Sequence, residues 1–479
     1  MKKTGIIVVV FVLSLVYISG ILVNRSLPDG HIIITRVPAD KNINLSISGV
    51  EKLGLENAQI VSFYPNKPES SLNILTANFA SAISPELSPD NRHIVFSAKK
   101  EPGDNWQIWL LNLSNSRTAQ ITGNSRNCFD PVFLPDERIA FSCTWEHERY
   151  GSGSTLYTAR SDGSNLKPIT FHPHADHSGT ILHDGRILMV SNQVYPETGI
   201  SKLLALRPDG TNTGLFYQIP DGFEILSKAR ENKENHIFFT AVNQQNGNRS
   251  TLIRFSYNNP YNSKQIVYTS EAGNIHSLYP ENSGDLFISY QKNTEETYGI
   301  YRLDQQGMAK PIYIDSDYHF LEPAFIEAKP FTPRKLPSAL REARNFGIVV
   351  FVETPQALMA SGSFAGEKIQ VVGLDGILDE FPVMSDGSFY VRMGARTPVR
   401  FQRVNSQNEI VEGPTSWLWL MTGERRGFTG WDEKQLTAPA NRVPEAINHP
   451  YRDVPGFETP VLGIQADEKM LSEAGHENQ

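Results

Sequence analysis

Three segments of this chain share one spelling at nearly constant spacing, and that repeat limits the fold more than any other feature. They are Leu87-Ser-Pro-Asp-Asn-Arg-His-Ile-Val-Phe-Ser97, Phe133-Leu-Pro-Asp-Glu-Arg-Ile-Ala-Phe-Ser142 and Ile181-Leu-His-Asp-Gly-Arg-Ile-Leu-Met-Val-Ser191. Each reads as the end of one strand, a tight turn and a strongly apolar strand. The turn aspartates Asp90, Asp136 and Asp184 stand 46 and 48 residues apart, and weaker copies follow at 229–240 and 278–289. After each copy comes a second strand pair, such as 107–112 with 119–122 and 155–159 with 168–170. Four strands per roughly 40–50 residues is the signature of a β-propeller blade. Pro-Asp and Asp-Gly supply the dihedrals that such hairpins need. Five blades fit between about 84 and 315. A sixth takes its first strand from 322–327 and the rest from 31–35, 58–63 and 71–75, which leaves no free sheet edge. The expectation is an all-β chain with a six-bladed propeller over 30–330, seven blades being the alternative.

A proline-rich stretch, Lys329-Pro-Phe-Thr-Pro-Arg-Lys-Leu-Pro337, marks a boundary, with a linker over 331–345. Short alternating strands return at 347–352, 368–373, 389–392, 398–404 and 416–421. They predict a small β-sandwich over 346–435. Residues 436–479 read as an extended polar tail. At the other end, Lys2 and Lys3 precede an uncharged run from Gly5 to Val23. At about 1.5 Å per residue that run is just long enough to cross a bilayer. Residues 5–23 are therefore expected to form a membrane anchor, with 1–4 in the cytoplasm and the bulk of the chain outside it, in the periplasm. Secretion after signal cleavage is the rival reading. The two cysteines, Cys128 and Cys143, lie equally far from the turn at Pro135-Asp136. A cross-strand disulfide and two buried free thiols both fit that symmetry.

Gly423-Glu-Arg-Arg-Gly-Phe-Thr-Gly-Trp-Asp-Glu433 resembles a c-type haem attachment segment, GERRxCxGCHE, without its haem-binding residues. Phe428 and Trp431 stand at the cysteine positions and Asp432 at the histidine. Pro382-Val-Met-Ser-Asp-Gly-Ser-Phe389, Thr397-Pro-Val-Arg-Phe-Gln402, Ser416-Trp417 and Ala438-Pro-Ala-Asn-Arg442 complete an ordered set of motifs. Together they resemble the hydrazine synthase alpha-subunit family and its propeller relatives. The individual repeats resemble the PD40 repeats of TolB-type six-bladed propellers. The resemblance implies a haem-bearing domain after the propeller, but thioethers need thiols. Haem and its redox chemistry are not carried over, and no cofactor is expected.

The richest polar cluster is His172-Pro-His-Ala-Asp-His177, read as a loop leading into the third blade at the channel mouth. His172, His174, Asp176 and His177 could hold zinc or copper; the bland reading is a polar loop. No G-x-S-x-G elbow, P-loop, dinucleotide fingerprint or H-E-x-x-H occurs. A net charge of −8 with no basic cluster argues against nucleic acid. The favoured expectation is a non-enzymatic, membrane-tethered interaction module whose propeller face binds an envelope protein or peptide. The alternative is a metal-binding protein or metal-dependent enzyme using the histidine-rich segment.

Overall fold

The computed structural model describes residues 27–455, apart from 28, 42, 44–48, 124, 197–200, 221, 244–248, 271, 329, 331 and 432–441. The proposed anchor over 5–23 lies outside the described residues. Among those described, no helix is long and apolar enough to cross a membrane.

The apolar runs of the repeat are strands buried on both faces. Leu286–Gln291 is buried at every position, and Ile187–Gln193 at its first five. Continuous apolar spelling, not alternation, is what a strand needs when neighbouring sheets cover both its sides. Outer strands are short and open to water, as at Thr118–Gln120.

The strands group by fours among the described residues. Unit 1 holds Ser81–Leu87, His93–Lys99, Gln107–Asn112 and Thr118–Gln120. Unit 2 runs from Cys128–Phe133 to Lys167–Pro168 and unit 3 from His174–Ile181 to Gly214–Gln218. These two are joined into one sheet by a parallel bridge at Ser154 and Ala175. Unit 4 ends at Gln265–Thr269 and has a split first strand, Phe223–Ile225 and Arg230–Glu231. Unit 5 spans Asn274–Pro280 to Ala309–Tyr313. The closing sheet, unit 6, pairs Tyr318–Phe325 with Ile32–Pro38, Gln59–Phe63 and Asn73–Ile74, so the two ends of the propeller share a sheet.

Apolar clusters stitch each unit to the next. Val95 and Ile108 of unit 1 meet Ile139 and Phe141 of unit 2, and Leu188 and Val190 of unit 3 meet Ile237 and Phe239 of unit 4. The series closes where Ile33 and Ile60 of unit 6 pack on Ile94 and Phe96 of unit 1. Cys128 and Cys143 are register partners in unit 2 and are joined by a disulfide.

The proline-rich stretch does not hang free. The carbonyl of His183 accepts from Arg334 N at 3.0 Å, and Asp209 Oδ2 accepts from Ala339 N at 2.6 Å. Gly185, at φ +89°, lets the linker lie this close, since a Cβ there would sit 2.0 Å from the Arg334 carbonyl oxygen.

Beyond the linker, two four-stranded sheets face each other. One orders Arg425–Thr429, Phe346–Val352, Phe389–Gly394 and Arg452–Asp453; the other Gly376–Pro382, Lys368–Gly373, Arg400–Val404 and Ile410–Glu412. Val349, Phe351, Ile369, Phe389 and Phe401 fill the space between them. The polar tail expected from 436 is corrected here, because residues 442–455 pack on this domain. Asp386 pairs with Arg442 at 3.0 Å, and Asp386 and Ser388 accept from the amides of Glu445 and Ala446. Val454 is buried in the core. The serine and aspartate of the Asp386-Gly387-Ser388 turn thus capture a segment whose own composition reads as an extended polar tail.

Candidate functional site

His172, His174, Asp176 and His177 do not form one loop cluster. His174–Ile181 is the first strand of unit 3, so His174 and Asp176 share one face and His177 points to the other. Pro173 and a turn closed by the His174 amide on the His172 carbonyl bring His172 back beside its neighbours. The result is a division. His172, His174 and Asp176 meet at the seam with the second domain, while His177 lies against Gly49 on the propeller axis. The expected placement of all four at the channel mouth is corrected accordingly.

The seam trio is buried, at 2%, 2% and 0% exposure, and one potential ligand atom from each lies within 4.8 Å of the others. His172 Nε2 stands 2.9 Å from both Asp176 carboxylate oxygens, and its ring stacks on His174 with centroids 3.8 Å apart. Ser191 Oγ donates to Asp176 Oδ1 at 2.6 Å and lies 2.8 Å from His174 Nδ1. A hydroxyl has one proton, and here Asp176 takes it. The His174 Nδ1 must therefore donate to Ser191, which leaves Nε2 with a bare lone pair. Among the described residues, that Nε2 has no hydrogen-bond partner. Burial first, then the neighbouring His172, holds the His174 imidazole neutral, with its pKa well below the usual value.

His172 and His174 of the trio line a cavity of about 320 Å³ between unit 3 and the second domain, with Asp176 behind them. Phe351, Phe401, Trp417, Trp419, Phe428 and Trp431 line it, as do His172, His174, Lys202, Arg425 and Arg426. Trp419 meets the His172 ring edge-on at 4.6 Å. The seam is pinned by Trp417 Nε1 donating to the Tyr195 carbonyl at 2.9 Å and Lys202 donating to Ser416 Oγ at 2.8 Å.

The haem-like positions are on the same cavity. Phe428 lies on the edge strand Arg425–Thr429, in parallel register with Phe351. Trp431 packs on Phe351 at 4.9 Å and donates from Nε1 to Glu353 Oε2 at 3.0 Å. Both rings rest partly on the sandwich core, which uses them as apolar filling. Asp432 lies outside the described residues. With aromatic carbon where thiols would be, this site does not fit covalent haem, and none enters the chemistry below. The full chain expressed with a cytochrome c maturation system should give no haem-stained band on a denaturing gel; a stained band would refute this.

Sequence reasoning missed a second polar centre, on the axis. Ser84, Asp130, Ser178 and Glu322 occupy equivalent positions in four first strands, all with φ between 52° and 57°. Lys52, from the short 3-10 turn Gly49–Gly54, donates to Asp130 at 2.8 Å and to Glu322 at 2.6 Å. Burial opposes the ionisation of Asp130, yet Lys52 outweighs it and holds the carboxyl well below the usual range. A faint signal exists: Ser84-Pro85, Asp130-Pro131 and Glu322-Pro323 each put a polar residue before proline at the same repeat position.

Residues 348–433 match the family model described as the hydrazine synthase alpha subunit middle domain. Hydrazine synthase subunit alpha of Kuenenia stuttgartiensis is 22% identical over 368 residues, covering 63% of this chain and 45% of that protein. The chain thus spans less than half the length of this curated relative. The solved Kuenenia stuttgartiensis hydrazine synthase superposes with a TM-score of 0.74 at 17% identity, over 88% of this chain and 72% of that one. They share a fold. TolB from Acinetobacter baumannii aligns with a TM-score of 0.46 at 13% identity, over 62% of this chain and 67% of its own.

Proposed function

We propose that this hydrazine synthase alpha-like chain is a haem-free, metal-binding propeller protein, with a divalent transition-metal ion held by His172, His174 and Asp176. The observation that carries this is the bare Nε2 of His174, without a partner among the described residues and buried within 4.8 Å of ligand atoms on His172 and Asp176. Two imidazoles and a carboxylate suit zinc or copper and leave a coordination position open toward the cavity. Ligation through His172 Nε2 would replace its contact with Asp176 and needs that nitrogen bare, as metal binding by imidazole requires. Ser191 sets the tautomer of His174 and orients it, the usual task of a group behind a metal-binding histidine. The interaction reading of the propeller face rests on shape alone, whereas the seam carries chemistry, so the metal reading comes first.

We read the six strand groups as six blades. The disulfide between Cys128 and Cys143 supports an oxidising compartment, in keeping with an anchor over 5–23 and a periplasmic body. An envelope protein or peptide on the propeller face fits the same placement.

After chelator treatment and addition of zinc, the full chain should hold about one ion, measured by elemental analysis and calorimetry. His174→Ala should lower affinity by roughly 100-fold or more and Ser191→Ala by roughly 10–100-fold. His177→Ala, on the axis, should leave binding intact. No stoichiometric metal, or equal losses in the His174 and His177 variants, would overturn the assignment.

A further inference from the structure

The cavity beside the trio has a charge bias and a shape that the metal alone does not use. Its described lining holds three cations, Lys202, Arg425 and Arg426, and no carboxylate. Its described walls hold six phenylalanine and tryptophan side chains. At about 320 Å³ it lies near the lower end of the roughly 300–1,000 Å³ range of small-molecule sites. Besides His174 Nε2, a second buried polar atom on a residue that lines this cavity has no partner among the described residues. Trp419, at 2% exposure, has an indole N–H without an acceptor among the described residues. An unmade hydrogen bond on a buried donor is costly, so an acceptor at this place is worth more than its ordinary share. Three cations line the cavity, and Arg426 among them has an acid close by, Glu424 at 3.6 Å; with a donor and no acid in the lining itself, the balance favours an anion. Flat aromatic walls specify a planar body that offers a π face.

We infer that the seam cavity binds a small planar organic anion, a single-ring aromatic carboxylate being the simplest member of the class. Its ring lies among the aromatic walls, and its carboxylate accepts from Trp419 Nε1 and faces Arg426. The inference rests on the pocket assigned above to the metal, whose positive charge would be a further partner for the carboxylate. Arg426 is already placed for the role: its Nη1 lies 3.4 Å from the Trp419 carbonyl and its guanidinium 5.4 Å from the Phe428 ring centroid.

The test titrates the full chain, chelator-treated and zinc-loaded, with benzoate, cyclohexanecarboxylate and benzylamine, read by tryptophan fluorescence and calorimetry. Benzoate should bind saturably and quench the seam tryptophans, about tenfold tighter than the saturated acid. Benzylamine should not bind. Arg426→Gln should weaken benzoate by about tenfold. Arg425→Gln, at an exposed position, reads the same charge effect without disturbing the fold and should weaken it by a few-fold. No saturable benzoate binding in either state overturns the inference, as does equal binding of benzylamine or unchanged affinity in both arginine variants. Benzoate binding to a chain with no affinity for zinc supports the inference and removes the metal proposal. Zinc binding without benzoate binding does the reverse.

Discussion

Lys52→Met should cost roughly 3–5 kcal/mol of unfolding free energy, a large share of the 5–15 kcal/mol typical of folded domains. Lys52 is 4% exposed and its two acceptors, Asp130 and Glu322, sit at 0% and 13% side-chain exposure. Removing the cation leaves two carboxylates facing each other at the axis, with Ser84 Oγ 3.2 Å from Asp130 and 2.9 Å from Glu322, Ser178 still donating to Asp130 and Lys228 the remaining cation that acts on both. Breaking a buried pair is costly because the abandoned charge stays desolvated. The sign with pH follows. Asp130 and Glu322 are depressed in the folded chain, burial opposing and Lys52 prevailing. Their stabilisation is present above their unfolded values, near 4, and is lost as pH falls through the folded ones. The Lys52 ammonium is raised, so its share is present below its ordinary value of 10.5 and is lost as pH rises through the folded one. In the variant the carboxyls can take protons, so its deficit should shrink below about pH 4. Urea unfolding of both chains at pH 7 and pH 3.5 checks this. A deficit under about 1 kcal/mol at pH 7 would show the axial triad to be dispensable. Adding Glu322→Gln to Lys52→Met should recover part of the loss, by the coupling expected of residues in contact.

Replacing both cysteines by alanine should cost about 3 kcal/mol, the loop-closure figure for a bridge of this length. The bonded residues are 15 apart in sequence and buried at 0% and 1% exposure, among Val95, Ile108 and Phe141. Reduction should destabilise the wild-type chain by a similar amount and leave the double-alanine chain unmoved. Two thiols titrated in the denatured, unreduced protein would mean that the bond is not formed in the cell. The cluster joins units 1 and 2, so the loss should loosen that junction first, giving faster amide exchange in Arg138–His147 than in Leu286–Gln291.

Most of the propeller was legible because its signals are local. Pro-Asp and Asp-Gly turns and apolar runs are read within a dozen residues, and the pairing of 318–325 with the N-terminal strands follows from the one strand set left over. The sandwich was legible for the same reason, up to Thr429. The segment 442–455 was not, since its order comes from Asp386 and Ser388, far away in the chain. The histidine cluster was visible as composition and misread as geometry. Strand alternation sends His177 to the axis and keeps His174 with Asp176, but only once the strand is known to begin at His174.

Residue identity alone determined two things about this chain. Its repeat specifies sheets buried on both faces, and aromatic carbon at 428 and 431 rules out thioether bonds to haem, whatever the fold. Tertiary structure decided the rest. Lys52 reaches across 78 residues to Asp130 and 270 to Glu322, and Trp417 reaches 222 residues back to the Tyr195 carbonyl. No local propensity encodes such contacts. They arise because ring closure brings the first strands to one axis and lays the second domain against unit 3. Burial there strips away water and leaves the Nε2 of His174 and the indole N–H of Trp419 without a partner among the described residues, and the proposed site rests on these two atoms.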